Sequence, residues 1–125
     1  MTKKDLVVLA VDDDLINLKL LKSMLLKTGN VKEVIEAKNG SDAISELKGR
    51  NDIDLILLDI IMPIMGGIEM LKVVRADASL NQLPIIVLTT DETKKAEALE
   101  AGANGFLMKP IRNDELITKM GTVIV

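Results

Sequence analysis

Three short stretches of this sequence, Leu6–Val11 (LVVLAV), Leu55–Leu58 (LILL) and Ile85–Leu88 (IIVL), carry no polar residue on either alternating face. A strand with one face in water alternates apolar and polar residues, whereas a strand apolar on both faces must be covered on both. Helix-length segments separate these stretches. Leu15–Thr28 places Leu21, Met24, Leu25 and Thr28 at helical spacing and stops at Gly29-Asn30. Strands alternating with helices in this way imply a parallel sheet with right-handed crossovers.

The remaining elements complete the alternation. Val31–Ala37 reads as a weaker second strand, and Asn39-Gly40 turns the chain into a helix that Ser41 can cap and that runs to about Lys48. The third strand is expected over Asp54–Asp59, a helix opened by Gly66-Gly67 runs to about Ala76, and the fourth strand spans Ile85–Thr90. A helix over Thr93–Ala101 stops at Gly102, Gly105–Met108 forms a short fifth strand, and Asn113 or Asp114 starts a last helix whose end, Gly121–Val125, is unusually apolar. One α/β domain over residues 1–125 is expected, since no linker, repeat or low-complexity segment interrupts it.

The strands end on side chains that a buried strand does not need. The first runs into Asp12-Asp13-Asp14, the third ends at Asp59, the fourth at Thr89-Thr90 and the fifth at Lys109. In open α/β sheets the ligand site lies beyond the carboxyl ends of the strands. These acids, hydroxyls and the ammonium are therefore expected to meet in one pocket. Taken singly, each has a plain reading: a strand-end Asp caps the next helix, as Asp14 fits, and Lys-Pro makes a turn. Separate caps would not require acids, a hydroxyl and an amine on four different strands.

Composition narrows the chemistry. The chain has no Cys and no His, so thiolate or imidazole metal sites, cysteine nucleophiles and phosphohistidine are excluded. Clustered carboxylates repel one another unless a cation joins them, and a site built only of oxygen suits Mg²⁺. An ionised carboxylate is also a nucleophile toward phosphorus, with Lys109 and Thr89 placed to stabilise a transferring phosphoryl group. The net charge of −3 and the lack of a basic run argue against direct nucleic-acid or membrane binding. The start, Met-Thr-Lys-Lys-Asp, does not read as a signal peptide, and a cytoplasmic location is expected. Among enzymes, an aspartate-nucleophile phosphatase of the haloacid-dehalogenase type would want Asp-x-Asp after a strand, but Asp52-Ile-Asp54 precedes one. A flavin module would want a Ser/Thr/Gly-rich loop after the first strand, and the P-loop pattern of an NTPase is absent.

Val11-Asp12-Asp13, LLDIIMPIMGGIEML around Asp59, PIIVLTT reaching Thr89, and AGANGFLMKP ending at Lys109-Pro110 occur in that order. Together they resemble the receiver domain of bacterial two-component response regulators of the single-domain chemotaxis type, over essentially the whole chain. The resemblance implies a (βα)₅ flavodoxin-like fold with strand order 2-1-3-4-5. It implies that Asp59 accepts a phosphoryl group, and that Asp13, Asp59 and the Ile61 carbonyl bind Mg²⁺, with Asp12 acting largely through water. It further implies Thr89 as switch hydroxyl, Phe106 as switch aromatic, Lys109 as the partner of Asp59 and then of the phosphate, and a cis Lys109-Pro110 bond. The implied donor is a histidine kinase or a histidine phosphotransfer protein. The output would pass through the surface of the fourth helix, fifth strand and fifth helix to a downstream effector protein. The protein would be an acceptor with intrinsic phosphotransfer and autodephosphorylation activity rather than an enzyme; the alternative is a non-phosphorylated scaffold of the same fold.

This sequence departs from the family pattern at Gly66, where an acid is frequent, at Thr90, where a smaller residue is usual, at Asn104 and Gly105, and at Phe106, which has no hydroxyl. Ile61, Thr90 and Asp91 are expected to tune phosphoryl lifetime, with the branched Ile61 unable to orient water and hydrolysis correspondingly slow. Leu15, Leu18, Pro110 and Ile111 are expected to form an apolar docking surface for the phosphohistidine donor.

Overall fold

The computed structural model describes residues 5–60, 62 and 65–124. Their order is β1 (Leu6–Val11), α1 (Leu15–Lys27), β2 (Val31–Ala37), α2 (Gly40–Gly49), β3 (Leu55–Asp59), α3 (Gly67–Ala76), β4 (Ile85–Thr89), α4 (Lys95–Glu100), β5 (Gly105–Met108) and α5 (Asn113–Val123). The strands form one parallel sheet of order β2-β1-β3-β4-β5, the flavodoxin-like arrangement expected. Every residue of β1, β3 and β4 is buried, because helices cover both faces. Val7, Leu9 and Val11 pack with Ala43, Leu47, Met70, Leu71, Val74 and Ala98 on the α2–α3–α4 side. Leu6, Val8 and Ala10 pack with Leu18, Leu21, Leu25, Leu116 and Met120 on the α1–α5 side.

The boundaries differ from the sequence expectation where side chains capture backbone groups. Asp54 lies outside β3: its carboxylate accepts the Val7 amide at 2.9 Å. Asn39, not Ser41, caps α2, because its side-chain oxygen accepts the Asp42 amide at 2.8 Å, and Gly40 becomes the first helical residue. The helix expected over Thr93–Ala101 starts as a 3₁₀ turn, Glu92–Lys94, set by Asp91 accepting the Thr93 amide at 3.0 Å. The apolar tail after Gly121 is no loose end among the described residues: Ile124 is buried in the α1–α5 core and Val123 packs against it.

The register brings the strand ends level. Val11 lies opposite Leu58, Asp59 opposite Leu88, and Thr89 opposite Met108. One residue past β1, Asp12 therefore stands level with Asp59, and one residue past β5 lies Lys109.

Candidate functional site

At the carboxyl edge of the sheet, Asp12 and Asp59 are 4% and 7% exposed and Thr89 is 1% exposed, while Asp13 is open to solvent. The Asp12 backbone is fixed by its amide donating to Ala37 at 3.1 Å, and its Oδ1 accepts the Asp14 amide at 2.9 Å. Asp14 takes the plain role: it caps α1, accepting the amides of Ile16 and Asn17. Lys109 is delivered by its own backbone, whose amide donates to the Thr89 carbonyl at 2.8 Å, and it is followed by a cis bond to Pro110, as expected.

The ammonium of Lys109 donates to Asp12 Oδ2 at 2.9 Å and stands 3.5 Å from Asp59 Oδ1. The expected Lys109–Asp59 pair is thus present as an ion pair shared with a shorter bond to Asp12. Burial pulls the Lys109 pKa down, but the Asp12 hydrogen bond and the Asp59 and Asp12 charges outweigh it, so the pKa lies above that of an ordinary lysine. Lys109 is a cation at any physiological pH.

Carboxylate oxygens of Asp12, Asp13 and Asp59 lie within 4.8 Å of one another. Three carboxylates at that spacing face one ammonium, leaving an excess of negative charge in a largely buried corner. Such an arrangement fits a small divalent cation with oxygen ligands, and the donor set favours Mg²⁺ over softer ions.

The other predicted residues divide. Thr89 Oγ accepts the Asp91 amide at 3.2 Å, which leaves its own hydroxyl hydrogen free to donate elsewhere. Thr90 is exposed, and Asp91 is engaged by the Thr93 hydroxyl and amide, which hold its carboxyl below the ordinary aspartate range. Phe106 is half-buried, packs against the α2–α4 side of the core, and lines a groove of about 480 Å³ with Lys95, Met108, Glu115 and Lys119. Ile61 lies outside the described residues, so neither its carbonyl nor its side chain is placed.

The docking expectation needs correction at Leu18. That side chain is 1% exposed and belongs to the core between α1 and the sheet. Leu15 is exposed, as is Pro110, and Ile111 is half-buried against the same core. The sequence reading missed Ile16 and Leu20, which are 72% and 59% exposed. Their four-residue spacing, off the Leu18–Leu21–Leu25 face, was the available signal. Leu20 also lines a cleft of about 420 Å³ that runs from Asp12 and Lys109 past Thr90, Pro110 and Ile111.

Gly67 is a further residue of the site. A Cβ there would sit 2.5 Å from the Asp59 carbonyl oxygen and 2.7 Å from Ile60 Cα. Only glycine lets α3 close onto the phosphoacceptor candidate. Gly66, the departure noted in the sequence, meets nothing closer than 3.5 Å and has an ordinary φ of −73°, so a side chain fits there.

The model of the response regulator receiver domain matches residues 8–121. The chain belongs to that family. This receiver domain is 35% identical over 119 residues to the chemotaxis protein CheY1 of Helicobacter pylori, covering 93% of this chain and 94% of that protein. It is 36% identical to the CheY homolog of Campylobacter jejuni, covering 93% and 90%. In structure the receiver domain is similar to a putative response regulator of Chloroflexus aurantiacus, with TM-score 0.89, 32% identity and coverage of 97% and 98%. It is also similar to the receiver domain of a Pseudomonas aeruginosa sensor histidine kinase, with TM-score 0.85, 27% identity and coverage of 95% and 97%. That last domain holds a magnesium ion in its active site cleft. Among the described residues of this chain no helix is long and apolar enough to cross a membrane.

Proposed function

We propose that this receiver domain accepts a phosphoryl group on Asp59 from a phosphohistidine donor, with Mg²⁺. The observation that carries the reading is the corner itself: three carboxylates within 4.8 Å, one of them at the end of a buried strand, and a single ammonium 2.9 Å and 3.5 Å from two of them. An Asp59 carboxylate oxygen bonds to phosphorus as the bond from phosphorus to the donor's imidazole nitrogen breaks, and that nitrogen regains a proton. Lys109 keeps its charge throughout and moves its attraction from the carboxylates to the incoming phosphoryl oxygens. The Thr89 hydroxyl, whose acceptor side is held by Asp91, donates to one of those oxygens. Asp13 and Asp59 would hold the cation, and the family resemblance implies the Ile61 carbonyl as a further ligand and a role for Asp12 largely through water. Mg²⁺ supplies neutralisation of the carboxylates and of the phosphoryl charge when bound. The protein is an acceptor and not a turnover enzyme.

The donor, a histidine kinase or histidine phosphotransfer protein, docks over Leu15, Ile16, Leu20, Pro110 and Ile111, beside the cleft that opens onto Lys109. Leu20, Pro110 and Ile111, apolar side chains lining the cleft that also holds Asp12 and Lys109, support this. Leu20→Ser is expected to slow transfer from the protein donor several-fold and to leave uptake from acetyl phosphate unchanged; equal loss of both would count against docking. The output surface is α4, β5 and α5 around Phe106, which would signal to an effector protein. Beryllium fluoride, a stable stand-in for an aspartyl phosphate, tests the switch. With Mg²⁺ it should move amide resonances of Thr89, Phe106 and the α4–α5 surface, and do nothing to Asp59→Asn. Shifts confined to the strand ends would contradict switching through that face.

A further inference from the structure

The cleft beside Asp12 and Lys109 is elongated. Asn17, Leu20, Leu21 and Met24 line it at the i, i+3, i+4 and i+7 positions of α1, so it follows that helix for two turns, about 10 Å. Leu88, Pro110 and Ile111 form its other side. Leu21 and Leu88 are buried, whereas Leu20 is open to solvent. The volume, about 420 Å³, is that of a small-molecule site.

Polarity changes along the cleft in one direction. The end at the carboxyl edge of the sheet holds Asp12, Asn17, Thr90 and Lys109. The Lys109 ammonium there stands 3.5 Å from Asp59 Oδ1. The Asp12 carboxylate is already engaged, by that ammonium and by the Asp14 amide. Further along α1 the lining is Leu20, Leu21 and Met24. A ligand that matches this order has an anionic head at Lys109 and a linear apolar tail. An acyl phosphate with a hydrocarbon chain has that order, with the reactive phosphorus in the head.

We propose that the cleft selects among small-molecule phosphoryl donors by holding the hydrocarbon chain of an acyl phosphate along α1 while its phosphoryl group meets Asp59. The inference rests on the reading of Asp59 as the phosphoacceptor and adds a substrate class to it. An Asp59 carboxylate oxygen bonds to phosphorus as the bond from phosphorus to the acyl oxygen breaks. The fatty acid leaves as a carboxylate that keeps the electron pair, so no proton is needed. Leu20 lies about 4.5 Å further along the helix axis than Asn17, beyond the single methyl of acetyl phosphate. Butyryl and hexanoyl chains extend over Leu20 and Leu21 towards Met24.

The test compares initial rates of adduct formation with Mg²⁺, by intact mass spectrometry, for acetyl, butyryl and hexanoyl phosphate at equal, non-saturating concentrations. The three leaving carboxylates are nearly equal in basicity, so the ratio of rates reports the contacts of the chain. Full burial of a methylene is worth about fourfold, and a cleft open on one side should give about half of that burial, hence about tenfold from acetyl to hexanoyl in the wild type. Leu20→Ser and Met24→Ser should each bring this ratio towards one. Leu26→Ser, which removes an exposed leucine of α1 outside the cleft lining, should keep it. Hexylphosphonate, with the same head and tail but no transferable phosphoryl group, should shift the amide resonances of Leu20, Leu21 and Met24 more than methylphosphonate does. Equal rates for the three donors overturn the inference. So does a chain-length preference that survives Leu20→Ser and Met24→Ser, or the absence of the hexylphosphonate shifts from α1. No adduct from any donor overturns the phosphoacceptor reading and this inference together. Equal rates combined with slower transfer from the protein donor in Leu20→Ser overturn this inference alone and leave the cleft to the protein donor.

Discussion

The two ends of the sheet treat charge in opposite ways. At the amino end, Arg75 of α3 donates to the carbonyls of Gly102, Asn81 and Leu83 and to the side-chain oxygen of Asn104, at 2.7 to 3.1 Å. Asn104 in turn accepts the Ile85 amide at 2.9 Å, at the start of β4. One guanidinium thereby ties together α3 and the segments that enter β4 and β5. At the carboxyl end, three carboxylates gather and one ammonium pairs with two of them, Asp12 and Asp59. Saturated charge fixes a geometry, and unbalanced charge leaves a capacity to bind something more. The Arg75 contacts tie together the entries to β4 and β5, the strands that lead to Thr89 and Lys109.

This contrast breaks most visibly by removing Arg75. Arg75→Ala strands several acceptors, and the expected cost is about 2–4 kcal/mol of unfolding free energy. Chemical denaturation measures it, and the folded fraction should still take up phosphoryl groups. Lys109→Met is expected to do the reverse, with a modest loss of stability and phosphoryl uptake from acetyl phosphate reduced at least tenfold. Its pH dependence has a definite sign. Because the Lys109 pKa is raised on folding, the stability that its pairing contributes is complete below the ordinary lysine value and is lost as pH rises through the higher folded value. Wild-type melting temperatures should therefore fall on the alkaline side more steeply than those of Lys109→Met. The smallest effect sharpens the comparison. Asp13→Asn removes one of three mutually repelling charges, so without metal it should raise stability by up to about 1 kcal/mol while abolishing the Mg²⁺ response. Destabilisation in chelator would mean that the corner is balanced already.

The aliphatic runs and their polar ends were legible because burial on both faces leaves a sequence no alternation, and because the strand ends share one edge by topology. The same logic places Asp12, Asp59, Thr89 and Lys109 together from the sequence alone. α1 is apolar on its inner and outer faces alike, which hides the inward place of Leu18; its spacing of three and seven residues to Leu21 and Leu25 is the signal that puts it against the sheet. Asn39 and Ser41 are both competent caps, and only the backbone path decides between them. The network of Arg75 was not legible at all. It joins residues distant in sequence through carbonyl acceptors, which leave no residue-type pattern. Asn104, noted only as a departure from an acid, is an oxygen shared by a guanidinium and a strand amide.

The central claim is that Asp59 is a Mg²⁺-dependent phosphoacceptor. Intact mass spectrometry after incubation with acetyl phosphate, with and without Mg²⁺, on the wild type and Asp59→Asn tests it most directly. The account predicts a single phosphoryl adduct that requires both the cation and Asp59. No adduct under any of these conditions, or one that persists in Asp59→Asn, would contradict it.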